Sequence, residues 1–156
     1  MNHYSPDLPN AGPLPPAALV DWVHFEKSRG ELGPGFIRIL GYYREDGVKS
    51  LEAIDAAMRE HNTVALVLPA HTLKGESRQF GAEAVARVAE KIEDVARFAI
   101  EQQRFPDELV PDVVELRRLW QGTIEALDQA VNPLMSRGAQ GGGFGKKVTN
   151  QSFGRI

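Results

Sequence analysis

Apolar residues recur at helical spacing in four long stretches between Phe36 and Val131, and each stretch stops at a cluster of helix breakers. In the first, from about Phe36 to His61, Ile37, Leu40, Leu51, Ile54 and Met58 keep the helical period. The second begins near Val64. The third runs from about Glu83 to Gln103, with Val85, Val88, Ile92 and Val95 or Ala96 inward. The fourth runs from about Pro111 to Val131, with Val113, Leu116, Trp120, Ile124 and Leu127 inward. No strand-period segment competes. Amphipathic helices joined by short connections bury their stripes by packing side by side. The expected fold is therefore all-α: an antiparallel four-helix bundle with an additional N-terminal helix, over residues 16–132.

The punctuation sets the expected boundaries. A first helix should run from Pro16 to about Ser28, with proline tolerated at its start and Gly30 ending it. Gly33-Pro34-Gly35 reads as a turn, and Gly47 as a bend in the long helix that follows. Asn62-Thr63 should end one helix and cap the next. Phe105-Pro106-Asp107 is a connection. Pro69 falls inside a helical pattern, where proline loses a hydrogen bond and clashes with the preceding turn. Either the helix kinks there or it starts there. A kink is preferred, because it lets Val64, Leu66, Val67 and Leu68 be buried.

Five of the ten prolines fall within residues 6–16, so residues 1–15 are expected to form an extended arm. Residues 133–156 are expected to be a flexible, glycine-rich basic tail, with six of the fifteen glycines from Ser136 onward. Phe144-Gly145-Lys146 is echoed by Phe153-Gly154-Arg155. The favoured reading is a solubilising tail, with a short docking motif as the sharper one. Its Gly-Lys-Lys is not a phosphate-binding loop, since Gln140 stands where the first glycine belongs and Lys147 replaces Ser/Thr.

Composition removes several classes of function. There is no cysteine, which excludes disulfides, thiol catalysis and cysteine-ligated metals. No apolar run approaches membrane-span length, and no secretory signal precedes the arm, so a cytoplasmic location is expected. The net charge of −3 hides an asymmetry: removing the four tail bases leaves 14 bases against 21 acids, a balance of −7. An acidic body argues against nucleic acid as the main partner. Bundle metal sites want paired Glu-x-x-His motifs, and none exists. Asp21-x-x-His24 is a single pair, read as helix surface. His61, at a helix C-terminus, complements the dipole, and His3 lies in the arm. One apolar stripe per helix suits a monomer.

One stretch carries chemistry. At 100° per residue His71, Lys74, Gly75, Arg78 and Ala82 share a face, while Leu73, Ser77, Phe80 and Ala84 share the opposite side. A buried seam thus presents a histidine outward, flanked by two cations and a gap. Lone helix histidines are usually structural or merely exposed, and surface lysines are usually only solvated. Here the neighbours matter, Gly75 above all, because mid-helix glycine costs about 1 kcal/mol against alanine. Such a cost is explained by close approach of another molecule. With a free pKa near 6.5, imidazole is largely neutral and nucleophilic at neutral pH.

The run Ala70-His71-Thr72-Leu73-Lys74-Gly75, with Gly81-Ala82 further on, resembles the signature of the histidine phosphotransfer (HPt) family, A-H-x-L-K-G followed by small residues and G-A. The resemblance spans roughly Leu19 to Val131 and is specific only over Ala70–Ala82. It implies a phosphorelay intermediate. His71 would accept a phosphoryl group from a receiver-domain aspartate and pass it on to another receiver. Lys74 would be the charge partner and Gly75 the clearance for the docking receiver. Arg78, Gln79 and Ala82 would be contact positions. Glu93 matches the position on the next helix that orients the imidazole, and Glu90 lies one turn earlier. The plain reading of both is an exposed helix carboxylate. The implied partners are response-regulator receiver domains and a hybrid histidine kinase. No cofactor is expected, the Mg²⁺ of the reaction coming from the receiver, and no autokinase activity is expected. Glu76 departs from the pattern, where a small residue is usual. At about 140° from His71 it should clear the phosphoryl group and pair with a base at the bundle edge. The reading from a different class is a non-catalytic adaptor that binds receivers or kinases.

Overall fold

Each long apolar stripe becomes a helix in the structure, a computed structural model that describes residues 14–132. The α-helices are α1 (Pro16–Leu19), α2 (Trp22–Leu32), α3 (Phe36–Arg59), α4 (Val64–Gln79), α5 (Glu83–Glu101) and α6 (Val110–Val131). Short 3-10 turns at Gly33–Gly35 and Asp107–Leu109 lead into α3 and α6, and no strand occurs among the described residues. Contacts divide the chain into two units, 1–124 and 125–156. The first holds the candidate site and α6 as far as Ile124. The expected arm before Leu14 and the expected tail after Asn132, with its Phe-Gly-base echo, lie outside the described residues.

Cross-helix pairs show the antiparallel order. Between α3 and α4, Tyr43 meets Ser77 and Asp46 meets Glu76. Between α4 and α5, His71 meets Glu93 and Arg78 meets Glu90. Between α3 and α6, Asp55 meets Arg117 while Tyr43 meets Trp120. In each interface one partner's number rises as the other's falls.

The single N-terminal helix expected from Pro16 to Ser28 is instead two segments. Val20 and Asp21 are extended. The Asp21 carboxylate caps α2 by accepting the His24 backbone N–H at 3.1 Å, and the Asp21 N–H donates to the Gly81 carbonyl at 2.8 Å. The break is therefore made by a tertiary contact. Gly30 lies inside α2, which stops at Gly33, where φ is +56°.

Rings knit the core. Trp22, Phe25, Phe36, Phe80, Tyr43 and Trp120 follow one another in contact, with centroids between 5.0 and 5.7 Å apart. Beneath them the Tyr43 and Ser77 hydroxyls are hydrogen-bonded at 2.7 Å, which satisfies two buried polar groups. Gly47 has a packing role: it is buried, and a Cβ there would overlap the Trp120 indole. The inner face of α5 is rich in alanine, with Ala86, Ala89, Ala96 and Ala99 fully buried, so α4 and α5 approach closely.

Helix α4 begins with a side-chain cap, Asn62 Oδ1 accepting the Ala65 N–H at 3.1 Å. It runs through Pro69 without starting there. Its core face is Leu66, Ala70, Leu73 and Ser77. Val64 and Leu68 are not buried as expected; they are 66 and 71% exposed. Ile37 is likewise exposed, not core. A helix buries one arc, and these residues lie outside it.

Candidate functional site

The site is built on the seam between α4 and α5, around one carboxylate. Glu93 sits on the alanine-rich face of α5 and is buried among apolar neighbours. A buried carboxylate needs partners, and Glu93 has three. His71 Nδ1 lies 3.0 Å from Oε2. Arg97 Nε and Nη2 donate to the same oxygen at 3.0 and 2.8 Å. Lys74 Nζ lies 2.8 Å from Oε1 as an ion pair, although Oε1 makes no aligned hydrogen bond. Burial alone would push the Glu93 carboxyl up, but the Lys74, Arg97 and His71 donors outweigh it and bring it down to about 2.

The state of Glu93 settles the state of the histidine. An ionised carboxylate only accepts hydrogen bonds, so His71 Nδ1 must carry the proton. In the neutral ring the lone pair is then on Nε2. The His71 side chain is 56% exposed against 5% for Glu93. The arrangement is thus a nucleophilic ring nitrogen on an open surface, with its other nitrogen anchored to a buried anion.

The remaining expected site residues separate into two groups. Gly75 is exposed one turn along, and a Cβ there would meet nothing within 4 Å. Arg78 pairs with Glu90 at 2.8 Å, which holds the Glu90 carboxyl below its ordinary range. Gln79 is exposed at the end of α4. Ala82 is not on this face. Gly81 takes φ +74° and ends the turn after α4, so Ala82 becomes the N-cap of α5 and is fully buried. A Cβ on Gly81 would sit 2.6 Å from the Asp21 carbonyl oxygen, which is why the chain turns at a glycine there.

Glu76 faces an acid rather than the expected base. Its Oε1 is buried without a partner, and burial, followed by the charge and the hydrogen bond of Asp46, raises its carboxyl. Two carboxylates have no proton to share, so that hydrogen bond exists only when one of them is protonated.

Two features of the site escaped the sequence. Arg97 is one; its i, i+4 spacing from Glu93 is the signal that points to it. The other is the exposed stripe. Val64, Leu68, His71, Gly75 and Arg78 fall within one narrow arc of α4, so bulky apolar residues continue the histidine's face.

The helical bundle is the fold of histidine phosphotransfer domains. The Hpt domain family model matches residues 38–130, more than half of the chain, and the chain belongs to that family. Its role is histidine phosphotransfer. The fold is shared with histidine-containing phosphotransfer protein B (HptB) from Pseudomonas aeruginosa PAO1. That likeness has a TM-score of 0.62 and 23% identity, and it covers 72% of this chain and 95% of the other. Comparison with curated proteins returns no match. No helix among the described residues is long and apolar enough to cross a membrane.

Proposed function

We propose that this protein is a phosphorelay intermediate. His71 Nε2 accepts a phosphoryl group from the aspartyl phosphate of one receiver domain and delivers it to the aspartate of another. The observation that carries this reading is the bond from His71 Nδ1 to the buried Glu93 carboxylate, which leaves Nε2 as the exposed nucleophile. Phosphoryl transfer asks for positioning and charge compensation more than for acid–base chemistry. Lys74, anchored on Glu93, supplies positive potential beside the ring. Gly75 leaves clearance, and Arg78, Gln79, Val64 and Leu68 offer polar and apolar contact around it. The Mg²⁺ belongs to the receiver. The partners are response-regulator receivers and a hybrid histidine kinase, met by a monomer in the cytoplasm.

The test is direct. A receiver carrying radiolabelled phosphate is mixed with the wild-type chain and with His71→Gln. Label should move to wild type and never to the variant, whose fold should match by circular dichroism. Label on His71→Gln, or none on wild type across a panel of receivers, would overturn the reading.

A further inference from the structure

The oxygen of Glu93 that anchors His71 is shared. Oε2 accepts from His71 Nδ1 at 3.0 Å and from Arg97 at 3.0 and 2.8 Å. We propose that Arg97 is a positioning residue for His71: through Glu93 it sets how firmly the ring holds its Nδ1 proton, and so the pH range over which a phosphoryl group on Nε2 can leave. This rests on the reading of His71 as the phosphoryl carrier.

The chemistry shows why that proton matters. When the ring accepts, the Nε2 lone pair forms the N–P bond. The bond from phosphorus to the donor aspartate oxygen breaks, and its electron pair returns to that carboxylate. The product is a phosphoimidazolium that still carries Nδ1–H, so no proton has to move. When the ring donates, a receiver carboxylate attacks phosphorus and the N–P electron pair returns to Nε2. With Nδ1 protonated the leaving group is a neutral imidazole. Without that proton it is an imidazolate, a far more basic and poorer leaving group. Whatever strengthens the hold on the Nδ1 proton widens the pH range of donation.

Glu93 strengthens the hold and Arg97 weakens it. The guanidinium draws electron density from the oxygen that Nδ1 uses, and its positive charge opposes a cationic ring. Other charges face the same seam. Lys74 and Arg78 come from α4, and Glu90 from α5, where Arg78 engages it at 2.8 Å. The Lys91–Asp112 pair is turned well away round α5. Arg97 differs from Lys74 in reaching the very oxygen that His71 uses, and in being 56% exposed against 19%. It can therefore be replaced with little effect on packing, while His71 and Lys74 remain on Glu93.

The experiment follows the ring and the reaction together in the full chain. Wild type, Arg97→Ala, Arg97→Gln and Arg97→Lys are each phosphorylated by a receiver and isolated, and the imidazole ¹⁵N signals of phosphorylated His71, identified by their absence in His71→Gln, are recorded across pH, so that the proton followed is the one on Nδ1. Each protein is then labelled from a phosphorylated receiver, isolated, and its donation rate to a second receiver measured across pH. In Arg97→Ala and Arg97→Gln the Nδ1 titration midpoint of phosphorylated His71 should rise by roughly half to one pH unit, as expected for losing a cation a few ångströms away on a half-exposed surface. The alkaline fall in donation should shift upward with it. Arg97→Lys, which keeps the charge, should stay near wild type. An unmoved midpoint overturns the proposal, as does a midpoint that moves while the donation profile does not. If wild type and all variants alike take no label, the phosphoryl-carrier reading itself falls, and this proposal with it.

Discussion

His71 Nδ1 lies 3.0 Å from Glu93 Oε2, which ties an exposed ring on α4 to a buried carboxylate on α5. The tie has a pH dependence. Glu93 is held at about 2, below the ordinary 4.5. A depressed carboxyl contributes stability that is present above its unfolded value and is lost as pH falls through the folded one. Stability should therefore decline between about pH 4.5 and 2. Glu93→Gln should flatten that decline and destabilise the fold at pH 7 by about 1–2 kcal/mol, since Lys74 and Arg97 lose their anion but still reach solvent. Urea unfolding at several pH values measures both effects.

Glu76 should show the opposite sign. Its carboxyl is raised by burial and by Asp46. A raised group contributes stability when protonated and loses it as pH rises through its folded value. Glu76→Gln removes the repulsion and can donate to Asp46. At neutral pH it should raise Tm by about 1–3 °C, a modest shift because the side chain is only half-buried. In mild acid, where Glu76 is itself protonated, the difference should vanish. Thermal melts of the two proteins at pH 7 and pH 4 decide it.

Gly75→Leu separates folding from docking. A Cβ at Gly75 meets nothing within 4 Å, and leucine is the better helix former. Tm should be equal to or above wild type. Transfer from a phosphorylated receiver should fall by at least about tenfold if the partner closes over this face. A stopped-flow or label-transfer assay at fixed receiver concentration reads this, and unchanged kinetics would place the docking surface elsewhere.

Gly47→Ala tests the packing of α3 on α6. Its new methyl would overlap the Trp120 indole. Overpacking of this kind costs about 1–3 kcal/mol. Adding Trp120→Phe should give a double-variant cost smaller than the sum, because the two changes share one contact. A double-mutant cycle by urea denaturation would show that coupling.

Much of the architecture was legible in the chain because it depends on local regularities. Period-3.6 stripes place Leu40, Ile54, Ile92 and Leu116 in the core, and breaker clusters stop the helices within a few residues. The histidine's orientation was legible too, since Leu73 and Ser77 lie opposite it on one helix. What the sequence could not decide were relations between residues distant in the chain. The Asp21–Gly81 bond splits the N-terminal helix, and Gly81's left-handed turn sends Ala82 into the core. The meeting of Glu76 with Asp46, and of Gly47 with Trp120, depends on the register of one helix against another. Periodicity says which arc of a helix is buried; it does not say which side chain stands across the interface. The chemistry of the site falls on the same divide. His71 is marked by its own helix, but its tautomer is set by Glu93, 22 positions away, which only tertiary packing brings to the ring.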